Sequence, residues 1–147
     1  MQYDDPEYIC SATLMILGTD LDPDLVTTRL NLEPDQSWRR GARKFIKRQD
    51  GSKRYFRSKH EWGGWKKFIS EELKNKELPE QITYWIKTLQ ASSEGMRQLH
   101  EAGCHIALSC FVTPHGEDGG TASIIITPTL MEAAAELGLD LEVSFQS

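Results

Sequence analysis

Cysteine is scarce in this chain: Cys10, Cys104 and Cys110 make an odd number with no close CxxC spacing. That excludes a disulfide framework and a structural zinc site, and it predicts a reducing, cytoplasmic setting. Long hydrophobic runs are missing as well. The longest, around Leu14 to Leu17 and Ile124 to Ile126, fall far short of the roughly 20 residues that span a bilayer, so no membrane partner is expected. Met1 to Glu7 is acidic and polar, without the basic and apolar regions of a secretory leader, so no export is expected. GxSxG, HExxH, Walker and dinucleotide fingerprints are all absent, and Gly119-Gly120 lacks the surroundings of a phosphate loop. The expectation is a non-enzymatic protein with no catalytic residue, no metal and no cofactor.

What is present is an ordinary globular composition over 147 residues, with 39% hydrophobic and 27% charged. This length suits one domain, residues 1–147, able to bury its own core. The formal net charge of −5 conceals a sharp segregation. Between Arg39 and Lys67 lie 12 of the 17 basic residues and only Asp50 and Glu61 among the 22 acids, a local balance of +10 against −15 elsewhere.

The apolar pattern alternates between strand and helix periods. Tyr8 to Leu17, ending at Gly18, reads as a largely buried strand. Asp22 as N-cap, Pro23 at the first helical position and Asp24 in the first turn open a helix that should end near Leu32. From Ser37 to Lys67 the pattern favours strands turning at Asp50-Gly51, a basic hairpin. Trp62-Gly63-Gly64-Trp65 is expected to interrupt it with a bend or bulge. Leu78-Pro79-Glu80 starts a helix with Ile82, Trp85, Ile86 and Leu89 on one face, and the periodicity runs to Gly103 as one long helix or two joined near Ser92-Ser93. A strand over 104–113 follows, then a short strand over 122–127, a helix from Pro128 to Leu137, and an alternating strand through Leu139, Leu141, Val143 and Phe145. The sum is an α+β fold, a mixed and largely antiparallel sheet with helices packed on one face.

Candidate sites follow from residue type and spacing. Asp20, Asp22 and Asp24 alternate as in a calcium loop, but Leu25 and Asn31 occupy the places of its required glycine and final glutamate, so they read as a helix cap. His100, Cys104, His105, Cys110 and His115 have poor spacing for a metal or a thiol nucleophile. Strand alternation puts Cys110 on the apolar face with Ile106 and Leu108, and His105 opposite. The basic hairpin interleaves its cations with Trp38, Phe45, Tyr55 and Phe56, types that meet phosphates and stack bases. The negative remainder of the chain would repel a polyanion unless the basic patch stood well apart from it.

Taken together, SATLMILGTDLDP, NLEPDQSWRRG, the Trp62 to Trp65 element, AGCHIALSCFV and ITPTLMEAAAELGLDLEVSF resemble the bacterial family known as domain of unknown function 4279, over nearly the whole chain. The matching positions include Asp20, Asp22, Pro23, Pro34, Ser37, Trp38, Arg39, Gly41, Gly64, Trp65, Gly103 and Cys110. The resemblance implies no activity and no catalytic residues, and it implies an association with toxin-immunity loci. The leading expectation is therefore a protein-binding module of immunity type that neutralises a toxin domain, such as a basic nuclease, through charge and shape. Its candidate contact residues are acidic Asp20, Glu33, Asp35, Glu117 and Asp118, with Trp38, Arg39, Arg40, Trp62 and Trp65 as anchors. The alternatives are a nucleic-acid-binding domain using the hairpin over 39–67, and an uncharacterised enzyme whose groups meet only in space.

Overall fold

The computed structural model describes residues 8–114 and 123–146. Its elements run in the order β1 (Tyr8–Gly18), α1 (Pro23–Leu30), β2 (Gln36–Trp38), β3 (Arg43–Lys47), β4 (Lys53–Lys59), β5 (Gly63–Lys67), α2 (Leu78–Gln90), α3 (Ser93–Glu101), β6 (His105–Pro114), α4 (Pro128–Glu136) and β7 (Asp140–Phe145). Five strands form one sheet in the order β2-β5-β1-β6-β7, antiparallel except for the β6–β7 pair, while β3 and β4 make a separate two-stranded ribbon. The expected mixed α+β sheet is thus observed. Among the described residues no helix is long and apolar enough to cross a membrane.

Alternation along β1 explains the layering. Cys10, Ala12, Leu14 and Ile16 point to the helical side and are buried, as are Ile106, Leu108, Cys110 and Val112 of β6. Val26 and Leu30 of α1, Ile82, Trp85, Ile86 and Leu89 of α2, and Met96 and Leu99 of α3 complete that core. Local chemistry sets the helix ends: the Asp22 carboxylate accepts the Asp24 N–H at 3.0 Å, and Asn31 closes α1 in the left-handed conformation. Gln81, fully buried, joins two elements that no ladder connects. Its amide oxygen accepts the Ala12 N–H (2.8 Å), and its nitrogen donates to the carbonyls of Cys10 (3.2 Å) and Lys76 (3.1 Å).

Three expectations need correction. Gly63 and Gly64 do not interrupt the chain as a bulge; they lie inside β5. A Cβ at Gly63 would come within 2.7 Å of the Leu21 carbonyl oxygen, and one at Gly64 within 2.1 Å of the Trp38 ring. The glycines therefore serve close approach rather than bending. Residues 123–127 are irregular, not a strand; Thr127 instead caps α4, accepting the Leu130 N–H. In β7 the predicted apolar face is only partly covered, because Val143 and Phe145 lie beyond the helical layer at the sheet edge and remain exposed.

Candidate functional site

The ribbon formed by β3 and β4 leaves the sheet at the β2–β5 edge. Its base is closed by reciprocal bonds, the Gly41 N–H to the His60 carbonyl and the His60 N–H to the Ala42 carbonyl, both 2.8 Å. At its tip the Asp50 carboxylate accepts the Ser52 N–H and hydroxyl, and Gly51 takes the positive φ that the turn requires. The Ser52 hydrogen bonds hold the Asp50 carboxyl below its usual range. Every residue of both strands is exposed. An isolated two-stranded ribbon is marginal in water, so this one persists by its base closure and its own cross-strand pairs.

Those pairs are aromatic and cationic. Phe45 faces Tyr55 at 5.5 Å between ring centroids, with the Lys53 ammonium over Phe45 (4.6 Å) and the Arg43 guanidinium over Tyr55 (5.8 Å). Ile46, paired with Arg54, lies on the opposite face, where alternation also puts Phe56. From Arg43 to Lys59 there are eight basic residues against Asp50 alone. Among the described residues, none of the eight forms an ion pair.

At the foot of the ribbon stands an aromatic cluster. The Trp38 ring lies against Gly64, stacks on His60 at 4.4 Å and 19°, and has the Lys66 ammonium 5.6 Å from its centroid. Its Nε1–H donates to the Trp62 carbonyl at 3.0 Å, while the Trp62 side chain is exposed. Burial, followed by the neighbouring Lys44 and Lys66 charges, pushes the His60 imidazole below its usual pKa, so this ring stays neutral at neutral pH.

The predicted contact residues divide sharply. Arg40 pairs with Asp20 (3.0 Å), and Arg39 reaches Asp22 (2.9 Å) and Asp24 (3.3 Å), so these charges satisfy one another beside α1. The Asp35 carboxylate accepts the Phe68 N–H (2.7 Å), and Glu33 is exposed, with its backbone carbonyl accepting from Lys67. Trp38 and Trp62 meet at the ribbon base. Trp65 does not belong with them: it is fully buried against α1, where its Nε1–H donates to the Thr27 hydroxyl at 3.1 Å, and it serves the core. Glu117 and Asp118 lie outside the described residues.

His60 and Lys66 were not anticipated. Pairing counted back from the Asp50-Gly51 turn would have set His60 beside residues 41–42 and hence near Trp38. The cysteines have little chemistry to offer. Burial pushes the Cys10 thiol up to about 11 and the Cys110 thiol up to about 12, so both are protonated at neutral pH. Among the described residues no group of three or more His, Cys, Asp or Glu could hold a metal ion.

A family model matches residues 7–147, and its description is Domain of unknown function (DUF4279). No curated protein and no solved structure matches the chain.

Proposed function

For a chain that belongs to the DUF4279 family, we propose a non-enzymatic binding module whose contact element is the β3–β4 ribbon and whose partner is strongly acidic. One observation carries this reading: the ribbon's eight cations are all exposed, with no ion-pair partner among the described residues. Several acids outside the ribbon are engaged elsewhere or lie remote from it. Asp20, Asp22 and Asp24 are occupied by Arg39 and Arg40. Asp140 and Glu142 of β7, with Glu132 and Glu136 of the α4 helix that packs beside it, lie toward the opposite edge of the sheet. Four inter-strand spacings separate β7 from β2, roughly 19 Å, about two Debye lengths at physiological salt.

The immunity-type reading keeps one observation of its own. The edge strand β7 carries Asp140 and Glu142, each 3.5 Å from a ring nitrogen of His105 on β6, and its outer side, among the described residues, pairs with no further strand. A basic toxin domain could be held there by charge and by strand addition. Failure of the purified chain to inhibit a basic toxin domain encoded beside it removes that reading.

Titration of labelled heparin, a generic polyanion, tests the main proposal. Affinity should fall steeply with added salt. Changing Lys47, Arg48, Arg54 and Arg57 together to glutamine should reduce the log–log salt slope by about 3, since each lost contact removes roughly 0.7 to 0.9. The melting temperature should hold nearly constant, because these side chains are exposed and form no ion pair among the described residues. Unchanged heparin binding in this variant would remove the ribbon from the contact surface.

A further inference from the structure

We infer that the acidic partner is a single-stranded nucleic acid, its phosphates running along the ribbon's cations and a base stacking on Trp62; this rests on the ribbon being the contact element. The indoles supply the first argument. Trp65 and Trp85 are fully buried and Trp38 is half-buried between Gly64 and His60, whereas Trp62 is 54% exposed. The backbone beneath it is held in place, because its carbonyl accepts the Trp38 Nε1–H. A large, flat, amphipathic ring presented on a fixed backbone three residues beyond Lys59, where the ribbon ends, is a stacking platform.

The ribbon supplies the second. Tyr55 is 52% exposed and Phe56 40%, on opposite faces of β4, and each has a cation two residues away on its own face: Lys53 and Arg57 flank Tyr55, and Arg54 precedes Phe56. Lys53, Tyr55, Arg57 and Lys59 share one face of β4, with successive side chains about 6.6 Å apart, the scale of successive phosphates along an extended strand. A duplex would satisfy those cations but keep its bases stacked on one another, leaving the rings unused. A single strand rewards both. An acidic protein surface would reward the charges without using the flat faces of the rings as base stacking does.

The test compares three probes under one buffer by fluorescence anisotropy: a short labelled thymidine homopolymer, a duplex of equal length, and heparin. The single strand should bind more tightly than the duplex. Trp62→Ala should weaken single-strand binding by about tenfold, within the range measured for lost base stacking, while leaving heparin affinity and the salt slope unchanged. Trp62→Phe should recover part of the loss, which separates stacking from any change in folding. Equal affinity for single strand and duplex, both indifferent to Trp62→Ala, would overturn this inference and leave the ribbon as a charge-only contact. Heparin binding without nucleic-acid binding would likewise overturn it, in favour of an acidic protein. Failure to bind heparin as well would instead overturn the ribbon as contact element.

Discussion

Trp85→Ala should lower the unfolding free energy by about 3 to 5 kcal/mol, the usual loss for deleting a buried aromatic side chain. Trp85 is fully buried on α2 and packs edge-on against Tyr84, with ring centroids 5.3 Å apart. Its Nε1–H donates to the carbonyl of Ala12 at 2.8 Å, in the central strand of the sheet. Removing the indole leaves a cavity beneath that strand and deletes a buried hydrogen bond worth about 1 kcal/mol. Against a domain stability of roughly 5 to 15 kcal/mol this is severe. Urea unfolding should show a lower midpoint at an unchanged slope, and a fall in melting temperature on the order of 10 °C. Trp85→Phe, which keeps most of the packing, should cost markedly less. A loss under about 1 kcal/mol for the alanine variant would mean that α2 does not pack as described.

Gly95→Ala sets two effects against each other. Within a helix, alanine for glycine is ordinarily worth about 1 kcal/mol in the favourable direction. At Gly95 of α3, however, a Cβ would lie 2.1 Å from the carbonyl oxygen of Arg29 and 2.8 Å from its carbon. Those are backbone atoms of α1 and cannot swing aside, so the helices would have to part and weaken the bond from the Ser92 hydroxyl to the Leu30 carbonyl. Overpacking of this kind costs up to about 3 kcal/mol, so the steric term wins and a net loss of about 2 kcal/mol is expected. Calorimetry gives the sign directly. A stabilised Gly95→Ala protein would show that α1 and α3 are not in backbone contact.

Much of this architecture is legible in the sequence because local chemistry and tertiary packing agree. The Asp22-Pro23 and Thr127-Pro128 caps and the alternation of β6 lie where the residues predict them, and of the two readings open at Ser92-Ser93 the chain takes the broken helix. What was not legible depends on contacts between distant residues. Gly63 and Gly64 look like a bend in isolation, and only the Leu21 carbonyl and the Trp38 ring show why a regular strand needs glycine there. The three-residue β2 has no pattern of its own and exists through its pairing with β5. Trp38, Trp62 and Trp65 are alike in sequence, yet the register of β5 sends Trp65 into the core beside Ile16, while Trp62, just before that strand, stays outside.

The candidate site divides in the same way. The charge segregation from Arg39 to Lys67 is visible at once, but its fate is not: Arg39 and Arg40 pair at the surface with Asp20, Asp22 and Asp24, whereas the ribbon's cations have no ion-pair partner among the described residues. That ribbon, a positive patch with no ion-pair partner among the described residues of a protein of formal net charge −5, is the central claim, and retention on a cation exchanger near neutral pH at low salt tests it most directly. The parent protein should be retained despite its net negative charge, because a concentrated patch rather than the total governs adsorption. The variant with Lys47, Arg48, Arg54 and Arg57 changed to glutamine should flow through while melting at the parent temperature. Flow-through of the parent protein itself would contradict the account, since it would mean that the ribbon's charge is neutralised within the molecule.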